Sequence, residues 1–412
     1  MNKRFAAIGA ALLLTGAIWG CGGGGGGTPT TTNEQSAASR IAEGQAALND
    51  AIRSGQMPDA ARLQAARDAF AQAYSADSTN AQAAFGLALS DIALRGQQAA
   101  TLLGLDSTQT SALGLNPWQT SLPDAATSGD ALKAITSAPL TLARLAQENG
   151  VSATQARLLL RAVYDGMDTD LNRIKQAADQ TGFTFALADP NNTSGTITVD
   201  QADAQALLAG LYGTRAALGV ALAYNFDAGT FHFDEPLASR FGSLADGATV
   251  APDQYLPPTP FGSLQSDGRT LFGAAKTDLT QAITTARAST TTFATREAQT
   301  GHLLDGTGQN FGTIAVGLDV VKNALSDPFP LGDGTVVNLN AWFTNPPTDV
   351  RALLPTYHVT QNNGARVFVA NPSDYPDTTF GGLVTRFSGG GPHASVDGSK
   401  TVGDLLVGAF NL

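Results

Sequence analysis

Residues able to do chemistry are few and scattered along this chain. The four histidines are His232, His302, His358 and His393, and none sits at metal-ligand spacing from another. There is no H-E-x-x-H, no G-x-S-x-G nucleophile turn and no phosphate-binding loop. Glutamate occurs only at 34, 43, 148, 235 and 297, so hydrolysis by a glutamate pair is poorly supplied. The densest titratable group is His232, Asp234 and Glu235, where loop solvation explains the charges as well as catalysis does. The single cysteine, Cys21, excludes an intramolecular disulfide and a cysteine-based metal cluster. No catalytic residue is assigned from these patterns, and no cofactor is expected.

One further stretch gathers oxygen ligands. Asp189–Asp200 reads DPNNTSGTITVD and resembles a calcium loop of the EF-hand or dockerin kind. On that resemblance Asp189, Asn191, Thr193 and Asp200 are the side-chain ligand candidates. Only two are carboxylates, and the loop glycine, Gly195, stands one residue late. Asp200 has a simpler role open to it, capping the helix that follows. The expectation is that this stretch holds no calcium.

The elements that would position any such residues begin after a leader. Lys3 and Arg4 precede an apolar run, Phe5–Trp19, too short for a comfortable membrane span. The run ends at Ile18-Trp19-Gly20-Cys21, which resembles a bacterial lipoprotein signal. The resemblance implies that residues 1–20 are removed and that Cys21 is lipidated. Glycine rather than aspartate at 22 then implies sorting to the outer membrane. Gly22–Gly27 and the Thr/Pro run after them form a flexible tether, residues 21–33.

Net charge is −11, and removal of Lys3 and Arg4 makes it −13. Such an acidic surface opposes nucleic acid and offers no basic patch for anionic lipid. At 43% hydrophobic the chain can build a core, and the low charged fraction, 14%, leaves Thr, Ser, Gln, Asn and Gly to provide polarity.

Helical spacing is clearest in Pro58–Leu94. Leu63, Ala66, Phe70 and Ala73 share one face, Asp77-Ser78-Thr79-Asn80 breaks the pattern, and Ala81, Phe85, Ala88, Leu89 and Ile92 resume it. Two amphipathic helices joined by so short a turn pack antiparallel. Ala66, Phe70 and Ala73, followed by Leu87-Ala88, resemble the tetratricopeptide repeat, over about one and a half repeats within residues 34–94. Further helices are expected over 33–53, 131–147 (with Pro139 as a kink), 152–180, 200–224, 269–300 and 311–325. Trp118 lies in an expected loop. Residues 225–268 are proline-rich and irregular, and they repeat Phe-Gly-Ser-Leu at 241–244 and 261–264, with Phe-Gly-Gly-Leu at 380–383. Each Phe and Leu of these repeats is expected to insert into a groove between helices. Beyond Pro328 strands are expected at 335–337 and 366–369, with a turn at Gly332-Asp333-Gly334 and a short helical turn at 349–354.

The fold class that follows is mainly α: a tetratricopeptide-like helical array (34–104), a helical body with long loops (105–325) and a small mixed α/β C-terminal cap (326–412). The expected function is that of a membrane-tethered envelope lipoprotein acting as a protein-interaction or scaffold module, not an enzyme. Its partners would be the membrane, through Cys21, and a protein, with no nucleic acid. Binding of a small ligand in the periplasm or at the surface is the alternative, and an enzyme of unknown class the third.

Overall fold

The apolar spacing yields helices close to where it places them. A computed structural model of the chain describes residues 36–53, 59–102, 150, 152–189, 195–296, 301–304, 309–330 and 333–404. Cys21, the leader and tether, Trp118 and the helix expected over 131–147 lie outside the described residues. The architecture is mainly α-helical with consecutive helices packed in pairs, and small antiparallel sheets make the C-terminal region a mixed one. The chain divides into two compact units, each drawn from distant stretches of sequence.

The first unit takes Met1–Ala126, Leu158–Arg215 and Gln281–Leu318. Helix α1 (Ala37–Arg53) packs on α2 (Ala60–Ala76), and α2 on α3 (Ala81–Leu102). Asp59 caps α2 through the Ala61 N–H, and Asn80 caps α3 through the Ala83 N–H at 3.0 Å. Phe70 on α2 is fully buried between two glycines, Gly44 on α1 and Gly86 on α3. A Cβ at Gly86 would overlap its ring. The long helix α4 (Ala153–Asp179) turns at Gly182 into a hairpin that the sequence reading does not place: β1 (Thr184–Ala188) and β2 (Thr196–Asp200), antiparallel. The alternation of Phe183, Phe185 and Leu187 drives it, because all three are buried. Phe185 meets Phe70 and Phe85 at 5.9 and 5.2 Å between ring centroids, and Phe183 meets Phe85 at 5.2 Å. The Ala188 N–H donates to Asn49 of α1, and Gln82 of α3 donates to the Thr184 carbonyl. The hairpin is thus built into the face of the three-helix array.

Helix α5 (Gln201–Ala223) follows β2 directly. Among the described residues it is the one helix long and apolar enough to cross a membrane, and 72% of its most apolar window is buried inside the protein. Helices α8 (Gly268–Ala294) and α9 (Phe311–Ala324) complete the longer helical elements.

The second unit takes Thr127–Arg157, Ala216–Thr280 and Asp319–Leu412. The stretch expected to be irregular, 225–268, holds two short helices, α6 (Leu237–Phe241) and α7 (Pro252–Tyr255), and strand β3 (Thr249–Val250). Strand β3 joins β6 (Tyr357–Asn362), β7 (Ala365–Ala370) and β9 (Ala394–Asp397) in the order β3-β6-β7-β9. The β6–β7 hairpin turns on Asn363 and Gly364, both at positive φ (52° and 80°), the pair that a two-residue turn of this hand requires. A second sheet orders β4 (Phe329–Pro330), β5 (Val336–Val337) and β8 (Val384–Arg386), and α10 (Leu339–Thr344) follows β5. The repeated Phe-Gly motifs bury their rings, and each ring meets other rings. Phe241 packs on Phe368 of β7, Phe261 on Phe233, and Phe380 on Tyr375 and Phe387.

Candidate functional site

In the first unit, the junction of β2 and α5 carries the site. Asp200 ends the strand and caps the helix: its Oδ1 accepts the Asp203 N–H at 3.0 Å, and Asp203 Oδ2 accepts the Asp200 N–H at 3.1 Å. This reciprocal pair is a capping box built from two aspartates, and it fixes both carboxylates. Two residues past α8, Arg296 places Nη2 2.6 Å from Asp200 Oδ1 and 3.0 Å from Asp203 Oδ1. Its Nη1 donates to the Leu304 carbonyl at 2.9 Å, and its guanidinium lies 4.4 Å over the Phe293 ring. The segment 301–304 is held on the strand by the Thr198 N–H to Gly301 O (3.0 Å) and the Leu303 N–H to Thr198 O (3.1 Å). The Leu304 N–H adds a bond to Asp203 Oδ1 at 3.1 Å. This presents His302 to the far side of the carboxylates, with Nδ1 3.4 Å from Asp200 Oδ2 and 3.8 Å from Asp203 Oδ2.

Burial sets the electrostatics. The Asp203 side chain is 0% exposed, Arg296 4% and His302 17%. Loss of water pushes the Asp203 carboxyl up to about 7, against the pull of Arg296, and the neighbouring Asp200 charge pushes the same way. Burial, then the Arg296 charge, lowers His302 below the ordinary imidazole value, so the ring is mostly neutral at pH 7. The Oδ1 atoms of both aspartates face Arg296, and their Oδ2 atoms face the imidazole. Asp200, Asp203 and His302 offer three ligand atoms within 4.8 Å of one another, a set that suits a cation.

The residues singled out in the sequence fare differently. Asp200 caps α5. Asp189 lies at the other end of the hairpin, where its N–H donates to Gly195 O, whereas Asp200 pairs with Thr184. Asp189 stands opposite Gly195, five residues along the ladder from the Thr184–Asp200 rung, so at a strand rise of about 3.4 Å per residue the two residues lie about 17 Å apart, too far to share an ion. Asn191 and Thr193 lie outside the described residues. In the second unit His232 and Glu235 line an open cleft of about 680 Å³ with Asp227, Thr230, Phe231 and Arg240, walled by Pro258–Pro260; Asp234 is not among its lining residues. Arg240 lies 4.1 Å over Phe231 and donates to Gln254 O at 3.2 Å, with Glu235 at 3.9 Å. His358 pairs with Asp374 at 3.0 Å. Sequence reasoning missed Asp203, Arg296 and His302. The Asp200-x-x-Asp203 spacing is a readable capping signal, but nothing local marks the other two.

No family model, no curated protein and no solved structure matches this chain.

Proposed function

We propose that this protein is a lipid-anchored component of the bacterial cell envelope, held at the outer membrane through Cys21, whose folded part acts as a protein-interaction or scaffold module. The observation that carries the reading is the placement of the only cysteine, between an apolar leader and a glycine tether. The α1–α3 array, with Ala66, Phe70 and Ala73 buried at its seam, supports a tetratricopeptide-like reading of that region. Because β1 and β2 fill one face of the array, a partner engages its outer side, where Ala42, Glu43, Gln64, Ala65 and Asp68 are exposed.

Cys21→Ser should release the protein from the membrane fraction or leave it unprocessed. A free thiol found by mass spectrometry on the mature wild-type chain would rule the anchor out. Cross-linking in envelope extracts should then trap one protein partner through residues of α1 and α2.

The cleft at His232, Glu235 and Arg240 favours a second reading, capture of a small polar ligand. That reading requires Arg240→Ala to abolish a ligand-induced rise in melting temperature that outer-face changes on α2 leave intact.

A further inference from the structure

We propose that Asp200, Asp203 and His302 form a structural site for one zinc-like divalent cation, bound by Asp200 Oδ2, Asp203 Oδ2 and His302 Nδ1. The site is independent of the anchoring and scaffold reading above.

Geometry carries it. His302 Nδ1 stands 3.4 and 3.8 Å from the two carboxylate oxygens. Zinc bonds of about 2.0–2.1 Å in a tetrahedron put neighbouring ligand atoms about 3.3 Å apart, so the two separations from Nδ1 need movements of only about half an ångström or less, and the three ligand atoms already lie within 4.8 Å of one another. His302 Nδ1 is itself fully buried and has no hydrogen-bond partner, and at these separations it makes none with either carboxylate. A buried nitrogen left so is costly, and a cation between it and the two oxygens removes that cost.

The surroundings have the form of an outer shell. Arg296 and the Asp203 and Leu304 N–H groups bond the Oδ1 atoms, turning the Oδ2 atoms toward the imidazole. Mixed nitrogen and oxygen donors suit zinc and not calcium, which takes oxygen alone. The Asp200 and His302 side chains, 21% and 17% exposed, leave the ion a route from solvent. Arg296 and the N-terminus of α5 oppose positive charge, which moderates affinity without removing the donor set. The ligands come from the end of β2, the first turn of α5 and segment 301–304, so the ion would staple three pieces of chain together.

The test uses the full chain in detergent, purified without a polyhistidine tag and stripped with chelator. Calorimetric titration with zinc should give one saturable equivalent and a raised melting temperature. His302→Ala should weaken binding at least tenfold while melting like wild type in chelator, and His393→Ala should change nothing. Should His302→Ala fail to fold, cobalt added to the wild-type chain provides the second readout, through intense tetrahedral d–d bands. No saturable zinc binding, binding that survives His302→Ala, calcium bound in preference to zinc, or the absence of those cobalt bands would each overturn the site.

Discussion

The two units put their arginines to different uses. In the first unit the guanidinium groups seek carboxylates. Arg67 and Arg173 converge on Asp91 at 2.5 and 2.6 Å, Arg95 pairs with the buried Asp170, Arg215 with Asp168 at 2.7 Å, and Arg296 with Asp200 and Asp203. In the second unit they serve backbone as well as acids, Arg351 pairing with Asp253 at 2.9 Å and Asp349 at 3.2 Å while it also reaches carbonyls. Arg351 donates to the carbonyls of Phe261 and Pro257, Arg366 to that of Leu244, Arg386 to that of Gly334 at 3.1 Å, and Arg240 to that of Gln254. Helices satisfy most of their own backbone, so cations there chiefly meet acids, although Arg62, Arg95 and Arg296 also donate to carbonyls. A proline-rich, short-stranded region leaves carbonyls that need donors, and long cationic side chains supply them. The interiors do not divide in this way. Buried acids occur in both units, Asp170 and Asp203 in the first and Asp278 in the second, and each unit packs rings, Phe70, Phe85 and Phe185 in the first and Phe272 with Tyr224, Trp342 and Phe343 in the second.

The sharpest way to break this contrast is to remove one arginine of each kind and look for rescue. Arg296→Met strands two carboxylates, one wholly buried, and should cost about 3–5 kcal/mol by chemical denaturation in chelator. Adding Asp203→Asn should recover part of that loss, because the stranded charge goes with it. Arg351→Met should cost about 1.5–3 kcal/mol through lost charge-assisted bonds to carbonyls. There a second change, Asp349→Asn, should recover only the share due to the Asp349 pair, since the Phe261 and Pro257 carbonyls stay orphaned; full recovery would place Arg351 with the first unit's arginines. Gly86→Ala tests the helical seam alone: a methyl pressed into the Phe70 ring should cost about 1–3 kcal/mol. An unchanged midpoint would show that the seam yields. The smallest effect is expected for Asn80→Ala, about 1 kcal/mol from the lost cap of α3, read as a lower midpoint at unchanged slope.

Helices were legible because their signals are local. The faces Leu63-Ala66-Phe70-Ala73 and Leu160-Val163-Met167-Leu171-Ile174 appear buried as their spacing requires. Strands were harder. The β5 and β7 segments showed as Val-rich runs, yet β1 is only five residues long and pairs because Phe183 and Phe185 find Phe70 and Phe85 across the fold. Asn363-Gly364 is a local hairpin signal that the sequence reading left unused, since only residues tolerant of positive φ make that turn. Asp200 was legible as a cap because capping acts within one helical turn.

By itself the sequence determined the helical class, most helix boundaries, the acidic charge and the position of the one cysteine. Each depends on composition or on residues a few places apart. Only the tertiary structure decided that Asp189 and Asp200 stand at opposite ends of the β1–β2 pair, and that Arg296, 96 residues from Asp200, closes on the capping box. It also decided that His302 meets that box while the other histidines stay in the second unit. Such convergence depends on which hydrophobic faces bury against one another, a choice made among surfaces distant in the chain, so no local pattern encodes it.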